Sequence, residues 1–145
     1  MKTTLLLCLL MSAAPPAKPE APADTGTAAR APRSAPVATV TSTSGRLRID
    51  VMTDALPLRR GPRSFLIRVT ESTTGKPVPG LRLAVQPWMP TMGHGLDEPV
   101  RITARGDSDF EISDLDLFMP GAWELRLTLS GTVDDKAVVA FKLAR

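Results

Sequence analysis

The sequence predicts an all-β fold: an immunoglobulin-like antiparallel β-sandwich of about seven strands, preceded by a signal peptide and a disordered Pro/Ala-rich linker. Three observations carry this expectation. From Gly45 onward, apolar residues recur at every second position in short runs, the period of a strand with one buried face and one wet face. Segments rich in Gly, Pro and Asp separate the runs and supply turn geometry. No segment sustains the apolar period of a helix.

The chain of 145 residues has the length of one domain. Residues 1–14, "MKTTLLLCLLMSAA", place one lysine before an apolar run and small residues after it, the layout of a secretory signal peptide. The run from Leu5 to Met11 is too short to span a bilayer. Ser12, Ala13 and Ala14 offer one cleavage site, and Ala21 and Ala23 offer another further on. Residues 15–44 are rich in Pro, Ala, Ser and Thr and cannot bury enough apolar surface to offset the entropy of ordering, so they are expected to be a disordered linker. The folded domain is expected over residues 45–145. This layout predicts export to the periplasm or cell envelope. Cys8, the only cysteine, lies in the leader, with Leu7 where a lipidation motif needs a small residue. The exported chain would then have no thiol for a disulfide, a metal or catalysis.

The strands follow in order. Leu47, Ile49 and Val51 alternate with Arg46, Arg48 and Asp50. Phe65, Ile67 and Val69 form the second run, Leu81, Leu83 and Val85 the third, and Val100, Ile102 and Ala104 the fourth. Phe110 and Ile112 open a fifth whose phase blurs near Leu115 and Leu117. Trp123, Leu125, Leu127 and Leu129 make the sixth, and Ala137, Val139, Phe141 and Leu143 the last. "TTGKPVPG", "RGDSD" and "SGTVDD" mark turns between them, and "RGD" reads as a turn rather than an adhesion motif. Seven short strands in about 100 residues is the size of an immunoglobulin-like sandwich.

If successive strands reverse direction, residues 54–62, 89–97 and 117–121 all lie at one end of the sandwich. That end collects unusual residues. "QPWMPTMGHG", Gln86 to Gly95, holds the only histidine, one of two tryptophans and two of six methionines, and "LFMPG" adds Met119. Thioethers are soft ligands and imidazole suits copper, so Met89, Met92, His94 and Met119 form a candidate Cu(I) set. Trp88 could lie over a bound soft cation and shield it. The competing reading is structural: methionine fills irregular cores, Trp88 and Trp123 plug the open end, and a lone histidine is a hydrogen-bonded structural residue.

Other function classes fit poorly. The net charge of +3 is mild, and few aromatics are present to stack bases, which argues against nucleic-acid binding. Arg46, Arg48, Arg68, Arg82, Arg101 and Arg126 alternate with apolar residues and are expected on solvated sheet faces. Asp107, Asp109, Glu111, Asp114 and Asp116 lack the spacing and glycine of an EF-hand and are expected on a solvated strand, with a hard-cation site as the lesser alternative. One histidine and no carboxylate in its motif is poor acid–base equipment. The expectation is therefore a non-enzyme without a small-molecule substrate.

"GPRSFLIRVTESTTGKPVPGLRLAVQPWMPTMGHG" followed by "FMPGAWELRLTL" resembles the YtkA-like family of exported domains, which is similar to FixH-like proteins. The resemblance covers about Leu47 to Leu143. It implies a small immunoglobulin-like sandwich outside the cytoplasm, near copper handling, heavy-metal efflux or copper-oxidase assembly. It carries over Met89, Met92, His94 and Met119 as ligand positions and implies an exported or membrane-bound metal-handling partner. The alternative is a protein–protein interaction or structural module whose Met-Pro loops bind no metal.

Overall fold

The computed structural model describes residues 36–53 and 56–144. The expected leader and the expected linker up to residue 35, with Cys8, lie outside the described residues. Within them the chain is all β: β1 (Pro36–Thr41), β2 (Leu47–Thr53), β3 (Gly61–Glu71), β4 (Leu81–Met89), β5 (His94–Gly95), β6 (Arg101–Ala104), β7 (Asp109–Leu117), β8 (Gly121–Gly131) and β9 (Asp135–Leu143). One sheet has the order β1-β2-β3-β7-β6 and the other β5-β4-β8-β9, with every pairing between strands antiparallel.

The two sheets meet through the residues that the alternation places inward. Ile49, Ile67 and Ile112 from the first sheet and Leu125, Leu127 and Val139 from the second are almost wholly buried. Phe65 and Phe141 join the layers with ring centroids 5.7 Å apart and a 47° tilt, a favourable aromatic arrangement. Each fully buried side chain of this size contributes about 1.5–3 kcal/mol relative to exposure, which lets the described sandwich stand without disulfides.

The outward faces carry charge, as expected, and cross-strand pairs organise it. Arg68 and Asp109 are direct partners in β3 and β7, and their fork is bidentate at 3.0 and 2.9 Å. Arg105 pairs with Glu111, and Arg101 lies 3.7 Å from Asp114. The acidic run at 107–116 is thus spread along a wet strand and its turn. Arg105, whose amide donates to the Asp109 carbonyl, closes the β6–β7 hairpin through "RGDS".

Two expectations need correction. The domain does not start at residue 45: Pro36–Thr41, assigned to the linker, pairs with β2 as an edge strand. Its composition is that of the preceding segment, but Val37, Ala38 and Val40 pack against the core. Among the described residues the strand count is nine rather than about seven, because β1 and the two-residue β5 are added to the seven expected runs.

The phase blur in β7 has a local cause. Arg63 pairs with Leu115 and Phe65 with Ile112, so Ser64 stands opposite two residues, Ser113 and Asp114. This is a β-bulge, with Asp114 in the left-handed region at φ 57°. The extra residue returns Leu115 and Leu117 to the core face after Phe110 and Ile112.

Candidate metal centre

The β2–β3, β4–β6 and β7–β8 connections share one rim, as the strand parity requires. Phe118, on the last of these, lines one cleft with Arg59, Arg60 and Gly61 and a second with His94 and residues 95–100. The terminal strand is tied to the same rim, where the Ala144 amide donates to the Leu58 carbonyl at 3.0 Å.

The Met-Pro-Thr-Met-Gly-His segment is a tight hairpin. Amides of Met92 and Gly93 both donate to the Met89 carbonyl, at 3.1 and 3.0 Å. Gly93 takes φ 69°, a left-handed conformation that costs glycine little. The chain then returns as β5, and His94 pairs directly with Met89 while Gly95 pairs with Trp88. Directly opposed residues of an antiparallel pair share a face, with β-carbons about 4.5–5.5 Å apart.

Met89 is 3% exposed and belongs to the core. Its terminal methyl group approaches Gly121, near enough to lie 3.7 Å from a β-carbon added there. Met119, two residues earlier, is half-buried against the core. Its carbonyl accepts the Trp123 indole N–H at 2.9 Å, which fixes the β7–β8 loop. Met92 is exposed at the hairpin tip, at 57%. His94 is also exposed, and its Nδ1 lies 3.2 Å from the Gly95 carbonyl. When that nitrogen carries the proton and donates, Nε2 is the ring's acceptor. The structure therefore brings His94 opposite Met89 and the Met119 loop to the same rim. It leaves Met92 at the solvent edge.

Trp88 does not take the expected shielding position. The pleat turns it to the opposite face from Met89 and His94. There the Arg126 guanidinium covers it, 4.4 Å from the ring centroid. A β-carbon on Gly95 would lie 3.2 Å from the indole. The cation over this ring is an arginine, held also by Glu124.

Sequence reasoning did not single out Phe118 or the acidic cleft beside it. That cleft is lined by His94, Leu96, Asp97, Glu98 and, across from them, Asp114 and Asp116. Its only signal in the sequence was an aromatic residue preceding "MPG" at an expected turn. No group of three or more His, Cys, Asp or Glu residues with metal-binding geometry occurs among the described residues.

Among solved structures, the fold resembles a copper-bound single-residue variant of FetP from uropathogenic Escherichia coli strain F11. The TM-score is 0.52 at 8% identity, over 74% of this chain and 94% of that one. A DUF4426 family protein from Pseudomonas aeruginosa matches at TM-score 0.45 and 13% identity, over 68% of this chain and 88% of that one. No curated protein sequence matches the chain. The family model for YtkA-like domains matches residues 41–128, more than half of the length, and the protein belongs to the YtkA-like family.

Proposed function

We propose that this YtkA-like domain is an exported, non-enzymatic binding module that holds Cu(I), or a similarly soft ion, at its loop rim for delivery to a metal-handling partner in the envelope. The observation that carries the reading is the direct pairing of Met89 with His94, with the Met89 methyl beside the loop of Met119. Met89 forms the apolar floor and His94 the lip, Met119 lies half-buried on the neighbouring loop, and Met92 stands at the solvent edge, from which it would have to turn inward to join the ion. A buried thioether suits this role because it is an uncharged ligand that costs little to desolvate, and soft donors favour Cu(I) over hard cations. The FetP variant of similar fold was solved with copper bound, which supports the architecture as a host for the ion.

The test is a titration of the purified protein with Cu(I) under reducing conditions, repeated with His94→Ala and Met92→Ala. The expected result is tight binding by the parent and weakened binding in both variants. A parent that binds no Cu(I) would leave the other reading, an interaction module with structural Met-Pro loops.

A further inference from the structure

We propose that the same rim is a self-complementary surface through which two copies of this chain associate. The observation is the charge arrangement around Phe118, which is 53% exposed. Phe118 stands as a ridge between two clefts. Arg59 and Arg60 line one; Asp97, Glu98, Asp114 and Asp116 line the other. Away from the rim, four arginines find acidic partners within the chain: Arg48 with Asp50, Arg68 with Asp109, Arg105 with Glu111, and Arg126 with Glu124. At the rim, Arg59, Arg60, Asp97, Glu98 and Asp116 have no ion-pair partner among the described residues, although all flank the same ring.

The backbone keeps these charges apart. Gly61 pairs with Leu117 and Pro62 with Asp116, so the arginine loop abuts β7 on one side. Arg101 pairs with Ser113, so the loop leading into β6 abuts β7 on the other side. Phe118, just past the end of β7, lies between them. Arg63 braces the basic side by donating to the Arg59 and Arg60 carbonyls, at 2.9 and 3.5 Å.

A row ordered basic, aromatic, acidic is complementary to itself after a half-turn about an axis through the aromatic ridge. Each arginine pair then faces the other copy's carboxylates, as an isologous interface requires. The acidic cleft, about 340 Å³, also has Leu96, Val100 and Leu115 in its lining and can accept the partner's ring. Leu56 and Met92, two further exposed large apolar side chains, lie on the flanking loops. A second copy fits this pattern better than an anionic membrane surface, which would attract two arginines but repel the unpaired carboxylates of Asp97, Glu98 and Asp116 across the same ridge. The inference does not depend on metal binding.

The experiment is sedimentation velocity of the full purified chain from micromolar to millimolar concentration, in chelator and without copper. The variants are Phe118→Asp, the double reversal Arg59→Glu/Arg60→Glu, and the double reversal Asp97→Lys/Glu98→Lys. Every substituted residue is exposed, and circular dichroism checks that each variant keeps its fold. The parent is expected to form a concentration-dependent dimer that weakens with salt. Each variant alone is expected to associate at least about tenfold more weakly. Mixing the two reversed chains is expected to restore a dimer, because a rim with Glu at both 59 and 60 then meets one that carries Arg59, Arg60 and two new lysines. The proposal is overturned by a parent that remains monomeric throughout, by dimers that survive both reversals, by a mixture that does not recover association, or by a monomer that binds anionic vesicles through Phe118.

Discussion

Met89 and His94 stand opposite each other across the β4–β5 hairpin, one sealed in the core and the other open to solvent. That relationship separates two roles for Met89 that the residue type alone does not. A core filler and a ligand floor occupy the same place but respond differently to substitution.

Leucine at position 89 conserves apolar volume, and such exchanges cost less than about 1.5 kcal/mol. Alanine leaves a cavity and costs about 2–5 kcal/mol. Met89→Leu is therefore expected to unfold near the parent midpoint in urea while binding Cu(I) at least about tenfold more weakly, the scale of a perturbed metal shell. Parental affinity in Met89→Leu would assign the residue to the core alone.

Trp88 supplies the contrasting case. Its indole faces Arg126 on the outer side of the sheet, away from the Met89–His94 face. Trp88→Leu removes a cation–π contact worth about 0.5–1 kcal/mol at an exposed site. The expected outcome is a small drop in stability, loss of the more solvent-exposed component of tryptophan emission, and unchanged Cu(I) affinity. A loss of affinity would return Trp88 to the ion's surroundings.

The fold was largely legible because burial imposes its period directly on the sequence. All seven expected runs are strands, and the blurred phase at Leu115 and Leu117 marks the bulge at Ser113 and Asp114. The edge strand β1 was not legible. Its residues are only partly buried, so alternation is weak, and its composition continues that of the segment before it. The shared rim followed from strand parity, which needs no side-chain detail. The orientation of Trp88 did not follow, because it depends on which side of β4 faces the core at its last three residues. Pro87 and Met89 are buried there and Trp88 is not, so the apolar run loses its visible alternation.

Gly95 is needed for close approach rather than for an unusual backbone. A β-carbon there would lie 2.2 Å from the Pro87 carbonyl oxygen, which also accepts the Leu96 amide at 3.4 Å. Gly95→Ala must push β5 away from β4 and carry His94 with it. The expected cost is about 1–3 kcal/mol, the range for forced overpacking. Thermal unfolding should show it, together with faster hydrogen exchange at the Leu96 amide. An unchanged melting temperature would mean that the hairpin yields without strain.

At the opposite end of β9 from Leu143, Asp135 ties the β1–β2 turn to the second sheet. Its carboxylate accepts from the Ser44 hydroxyl at 2.5 Å, the Ser44 amide at 3.2 Å and the Lys136 amide at 2.9 Å. Burial alone would push this carboxyl up, but hydrogen bonds from Ser42, Ser44 and the Lys136 amide outweigh it and hold the pKa at about 2, against an ordinary 3.8. A carboxyl with a depressed folded-state pKa binds fewer protons folded than unfolded, so its stabilisation is complete above the unfolded value and fades as pH falls through the folded one. The expected result is a urea midpoint that drops as pH is lowered from about 4 to about 2. Asp135→Asn is expected to be less stable than the parent at neutral pH and to show a flatter profile across that window. Ser44→Ala should raise the Asp135 pKa and shrink the same acid-dependent step. An acid profile identical in the parent and Asp135→Asn would show that the turn is held by its backbone bonds, such as the Thr43 amide to the Lys136 carbonyl at 2.7 Å, and not by this carboxylate.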